Sequence, residues 1–171
     1  MMKIIGAVFI IGATSWIGFE AARQLSERAK QLRLLKSALQ SLEAEIMFGH
    51  APLHEASRRI AKQLKEPLSQ IFGKFSTYLL EQELTAKEAW DLSLINTWNE
   101  TAMKQEELEI LHQFGETLGK HDLIQQQKQI RLALTHLERQ ETEAREKQLI
   151  YGKMMKSLGF LSGLLLVLLL V

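Results

Sequence analysis

SLGFLSGLLLVLLLV, residues Ser157 to Val171, carries no charged side chain and closes the chain. An apolar helix with nothing downstream to fold against finds its simplest partner in lipid, so the stretch reads as a membrane anchor. Its fifteen residues reach about 22 Å, short of the roughly 30 Å hydrocarbon core. Extending the helix back to Met154 gives about 27 Å, with the Lys156 stem snorkelling toward the headgroups. Gly159 and Gly163 have the GxxxG spacing that lets two membrane helices bring their backbones close, and they are the candidate packing residues of this helix.

A second uncharged run lies near the other end, Ile4 to Phe19 (IIGAVFIIGATSWIGF), preceded by Lys3. Ala13 and Ser15 offer the small residues of a signal-peptide cleavage site. The next stretch, FEAARQLSERAKQLRLLKSALQSLEAEIM, has no proline and no glycine, so the helix should run straight out of the membrane and the run is a retained anchor. Arg23, Arg28, Lys30, Arg33 and Lys36 follow the first run, and Arg139, Arg145, Lys147, Lys153 and Lys156 precede the second. By the bias of cytoplasmic flanks toward lysine and arginine, residues 20 to 156 belong in the cytoplasm and both termini on the far side. Neither run holds an ionisable residue, which argues against a transporter acting alone.

Between the anchors the chain is a different material. With 171 residues, 24% of them charged and 46% hydrophobic, it has room for one domain, and the near-even average conceals a polar middle between apolar ends. A net charge of +1 exerts no general pull on nucleic acid. The lack of cysteine excludes a disulfide framework and a thiol nucleophile.

The middle is helical throughout. Leu25, Leu32, Leu35, Leu39, Leu42 and Ile46 recur at coiled-coil-like steps, Gly49 stops that helix, and Pro52 starts a second with Leu53, Ala56, Ile60 and Leu64 on one face. Pro67 restarts the chain for a third helix from Leu68 to Glu83. Thr85 and Glu88 form a capping-box pattern opening a fourth, with Trp90, Leu94 and Trp98 on one side as core residues. Leu108, Leu111, Phe114 and Leu118 mark a fifth, ending near Gly119. Asp122 is the candidate cap of a last long helix carrying Ile130, Leu134, Leu137, Ala144 and Tyr151 on its seam. The expected fold is all-α: a six-helix cytoplasmic bundle over residues 22–153, its first and last helices continuing into membrane helices over 1–21 and 154–171.

Catalytic chemistry finds little support in these residues. His50 and His54 have the four-residue spacing of a helical metal clamp, yet Gly49 and Pro52 put His50 in a turn and no third ligand is apparent. The acidic groups interleave with lysine, arginine and glutamine as a solvated helix face does. His121 beside Asp122 has the makings of a proton relay, but helix capping accounts for the aspartate. No phosphate-cradling glycine loop follows a strand.

Three stretches carry a resemblance: ALQSLEAEIMFGHAPLHEA (Ala38 to Ala56), FGETLGKHDLIQQQKQIRLALTHLE (Phe114 to Glu138) and KMMKSLGFLSGLLLVLLLV (Lys153 to Val171), together with KIIGAVFIIGATSWIGFE at the start. They resemble the stage III sporulation protein AB family of endospore-forming Bacillus-type bacteria. The resemblance implies a component of the complex that joins mother cell and forespore, similar to the cytoplasmic domain of platform protein F of type II secretion machines. It implies contact with a secretion-type ATPase, stage III sporulation protein AA, and with other membrane subunits of the sporulation channel, on the mother-cell side of the outer forespore membrane. It brings no catalytic residues and no cofactor.

The family features matched here are Glu45, Gly49, Pro52, Leu53, Gly115, Leu118, Gly119, Asp122 and Gln126. They fall at helix ends and turns, where Gly49 and Gly119 allow positive φ and Asp122 can cap a helix, so they serve equally as structural residues or as a partner site. With one bundle and two anchors, a complete platform needs further copies of the chain, a homo-oligomer, or other subunits. The expected function is thus a non-enzymatic scaffold binding membrane, ATPase and channel subunits, with no nucleic acid. The alternative is a membrane-anchored helical regulator or metal-dependent enzyme using His50, His54, Glu55 or His121.

Overall fold

The computed structural model describes residues 2–49, 51–81, 84–119 and 123–170. Among them the regular structure is six α-helices and one short 3-10 turn, with no strand: α1 (Met2–Phe48), α2 (Leu53–Gln63), α3 (Leu68–Glu81), α4 (Ala86–Ile95), the 3-10 turn Trp98–Glu100, α5 (Gln105–Gly115) and α6 (Leu123–Leu170). Expected and observed helices agree in number, order and kind. The chain divides into two compact units, one of residues 30–141 and one of residues 1–29 with 142–171.

In the unit of residues 30–141, each helix begins and ends where local chemistry requires. Gly49 N–H still reaches the Glu45 carbonyl at 2.9 Å, and Pro52 then takes the N-cap position of α2, its carbonyl accepting from Glu55 and Ala56. Thr85 and Glu88 make the reciprocal capping box at the start of α4, with the Thr85 N–H donating to the Glu88 carboxylate at 2.9 Å. Both orphan donors are thereby satisfied.

Helices α2, α3, α4 and α5 pack in succession. The apolar faces meet in a core where Leu32, Leu35, Leu39 and Leu42 of α1 are wholly buried, as are Phe72, Phe75, Trp90, Leu111, Ile130 and Leu137. Trp90 is the centre: Phe72, Phe75 and Phe114 all meet it edge to face at centroid distances of 5.1 to 5.6 Å. Its indole N–H donates to the Leu111 carbonyl at 2.8 Å, so the polar end of the ring is satisfied inside the core. Lys36 of α1 reaches Glu141 of α6 at 2.7 Å. That hydrogen-bonded carboxylate raises the lysine pKa above its ordinary value, against the opposing effect of burial.

Two local expectations are corrected. Trp98 does not share the inner side of α4 with Trp90, because that helix ends at Ile95 and Trp98 opens the 3-10 turn, where it is half-buried. The reason lies in α3: Lys74 Nζ donates to the Asn96 carbonyl at 2.9 Å and to Thr97 Oγ1 at 3.1 Å, capping the helix where periodicity alone would carry it on. Gly49 does not adopt positive φ, whereas Gly119 does, at +79°. A side chain at Gly49 is excluded by space instead, since its Cβ would collide with the Glu45 carbonyl oxygen and lie 2.6 Å from the Glu45 carboxylate.

In the unit of residues 1–29 and 142–171, the first part of α1 and the last part of α6 run antiparallel. A Cβ on Gly159 would lie 3.0 Å from Gly18 Cα and 2.8 Å from the Thr14 carbonyl oxygen, and one on Gly163 would lie 3.0 Å from Ile11 Cα and strike the Thr14 hydroxyl. Gln148 donates to Ser26 Oγ at 3.2 Å farther along the pair. Both helices are long and apolar enough to cross a membrane, and only 11% and 6% of their apolar windows are buried within the protein. Phe9 and Trp16, each 75% exposed, and Leu169, 76% exposed, show how much of this apolar surface faces outward. A soluble core helix buries its apolar side, so these surfaces suit lipid.

Candidate functional site

Five of the candidate residues converge within the unit of residues 30–141. Glu45, Gly49 and Leu53, from the end of α1 and the start of α2, share a pocket of about 210 Å³ with Gly119 and Gln126, from the turn after α5 and the first part of α6. Ile46, Ala51 and Ala56 complete its lining. The local reasons are those of the fold: α1 must stop before Pro52, and the left-handed Gly119 ends the α5 turn, so two chain reversals lie side by side.

The pocket is apolar in its lining aliphatics and polar at two points. Glu45 pairs with Arg59 of α2 at 2.9 Å, with the carboxylate side chain 33% exposed and the guanidinium side chain 52% exposed. Gln126 is 4% exposed and makes no side-chain hydrogen bond among the described residues. It also lines a second recess, of about 280 Å³, with Gln113, Glu116, Thr117, Gln125 and Gln129. An amide with two donors and two acceptor sites, enclosed but facing two openings, is suited to pair with an incoming backbone or polar side chain. Phe48 immediately precedes Gly49 and is 79% exposed, and Ile124, two residues before Gln126, is 82% exposed. A pocket beside large exposed apolar side chains is the chemistry of a protein-docking surface.

The remaining candidates take other places. Pro52 is the exposed N-cap of α2. Gly115 is buried against Trp90, where a Cβ would come within 2.5 Å of the indole Cδ1, and Leu118 is 5% exposed, so both belong to the core. Asp122 lies outside the described residues, as do His50 and His121. His54 uses its carbonyl to accept from Ser76 Oγ at 2.7 Å, and Glu55 is half-buried in the first turn of α2. Among the described residues no three His, Asp or Glu side chains converge as metal ligands. The Ser57 hydroxyl is fully buried and has no hydrogen-bond partner among the described residues. Gly159 and Gly163 face the first helix of their own chain, at backbone distance.

Sequence reasoning passed over Phe48, Arg59 and Ile124 as parts of this surface. Phe48 carried a signal, being a large apolar residue at the end of a helix and off its apolar seam. Arg59 and Ile124 carried none, because their relevance comes from the meeting of segments distant in sequence.

The sequence model of the family described as stage III sporulation protein AB matches residues 3–171. The curated stage III sporulation protein AB of Bacillus subtilis (strain 168) is 57% identical over 170 residues, covering 99% of each chain. A solved structure of stage III sporulation protein AB matches with a TM-score of 0.71 at 55% identity, covering 72% of this chain and 98% of its own. A match that runs through both apolar helices and the helical unit alike places the chain in the stage III sporulation protein AB family.

Proposed function

We propose that this protein is a non-enzymatic membrane scaffold of the channel complex between mother cell and forespore in endospore formation. In this reading residues 1–21 and 154–171 are membrane helices in the outer forespore membrane, and residues 22–153 form a bundle in the mother-cell cytoplasm. The bundle docks a secretion-type ATPase of the stage III sporulation protein AA kind, and the anchors meet other membrane subunits or further copies of the chain. The observation that carries the proposal is the pocket where Glu45, Gly49, Leu53, Gly119 and Gln126 converge beside exposed Phe48 and Ile124. Its lining offers an apolar recess and the Gln126 amide, which suit a protein partner, and among the described residues no three His, Asp or Glu side chains converge there as metal ligands.

Two measurements test this. The detergent-extracted protein is mixed with the purified ATPase without nucleotide, with ADP and with ATP; association in at least one state is expected, and its absence in all three overturns the docking role. Single cysteines placed at Ser69, Thr101 and Gln140 are probed with a membrane-impermeant thiol reagent, the native chain having no cysteine to interfere. Labelling confined to lysed cells is expected. Labelling of intact cells would put the bundle outside, beyond reach of any cytoplasmic ATPase.

A further inference from the structure

A second recess, of about 500 Å³, lies in the unit of residues 1–29 and 142–171. Trp16, Phe19, Glu20, Arg23, Glu27 and Lys156 line it. Its depth relative to a bilayer follows from the helix register. Gly18 meets Gly159 and the Met155 carbonyl, so Phe19 stands level with Lys156, whose Nζ lies 5.5 Å from the Phe19 ring centroid. Phe19 is the last residue of the first apolar run and Lys156 the residue before the second. The recess therefore falls where both apolar runs end, which in a bilayer is the headgroup layer.

The charges in the recess are mixed and balanced. Arg23 pairs with Glu20 at 2.9 Å, while Lys156 engages the Phe19 face and forms no ion pair among the described residues. Glu27 stands close enough to act electrostatically on Arg23. A purely anionic headgroup would bring its phosphate to Lys156 but set it among the carboxylates of Glu20, which also accepts from Arg23 and Gln24, and of Glu27. A trimethylammonium headgroup has no N–H to offer those carboxylates, and the Phe19 face that would attract it is already covered by Lys156. A headgroup that carries both a phosphate and a primary ammonium meets both signs with charge-assisted hydrogen bonds.

We propose that this recess binds a phospholipid of the phosphoethanolamine class, with its phosphate on Lys156, its ammonium on Glu20 and Glu27, and its acyl chains over Trp16. The proposal rests on the reading of the two apolar helices as membrane anchors.

Native mass spectrometry of the full chain, delipidated in detergent and then offered phosphatidylethanolamine, phosphatidylcholine or phosphatidylglycerol of identical acyl chains, tests it. Phosphatidylethanolamine should be retained about fivefold better than either competitor. Lys156→Gln and Glu27→Gln should each reduce its retention to the phosphatidylcholine level, with helix content and melting temperature confirming that both variants fold. Lys153→Gln, outside the recess, should leave the preference intact. Equal retention of the three lipids, a preference for phosphatidylglycerol, or undiminished binding by both folded recess variants overturns the headgroup site while leaving the anchors standing. Retention of no lipid by a chain that stays in solution once detergent is removed overturns the anchor reading and this site with it.

Discussion

Gly115 shows how little room the core leaves. A methyl group there would press on the Trp90 ring at 2.5 Å, and the ring is held by Phe72, Phe75 and Phe114 so that it cannot yield. Gly115→Ala is expected to lower unfolding stability by about 1–3 kcal/mol, measured by denaturant titration. Gln126 should behave in the opposite way. Because the Gln126 side chain lines two recesses and makes no hydrogen bond among the described residues, Gln126→Ala should cost less than about 1 kcal/mol yet weaken association with the ATPase by about tenfold. A stability loss that accounts for the binding loss would return Gln126 to the core. Gly49 was legible as a stop but not in its cause, since the obstacle is the Glu45 backbone carbonyl, with its carboxylate beside it, rather than a left-handed backbone.

At the scale of elements, α4 carries a pH dependence. The Thr85 backbone N–H, then its hydroxyl, donate to the Glu88 carboxylate and hold its pKa below the ordinary value of 4.5. A carboxylate with a depressed folded pKa stabilises the fold fully above its unfolded value, and that contribution disappears as pH falls through the folded pKa. Melting temperature should therefore decline on acidification below about 4.5, and Glu88→Gln, which keeps a capping-box acceptor but cannot titrate, should flatten that part of the profile. The capping box was readable in advance because Thr85 and Glu88 are three residues apart. The end of α4 was not, because the group that closes it, Lys74, belongs to another helix.

For the whole molecule, the apolar ends, the helical middle and the helix order could all be read from periodicity and punctuation. The convergence of Gly49 and Leu53 with Gly119 and Gln126 could not: each residue has an adequate local reason to exist, and only the pairing of two distant chain reversals makes a site of them. The pairing of the apolar helices was half visible, in the GxxxG spacing, while its partner surface, Thr14 and Gly18, has the same four-residue spacing of small residues and was passed over. Gly159→Leu should separate these helices, and bismaleimide crosslinking between Ser26→Cys and Gln148→Cys, efficient in the parent, should fall sharply.

That glycine contact also limits how the two helices can move. A slide of one turn, about 5.4 Å, would set the Met155 side chain against Gly18 in one direction, or Val167 against Thr14 in the other. Either would drive a side chain between backbones that now touch. The pair is thus locked against piston motion, and force applied at one end of it must reach the other as tilt or rotation of the two helices together.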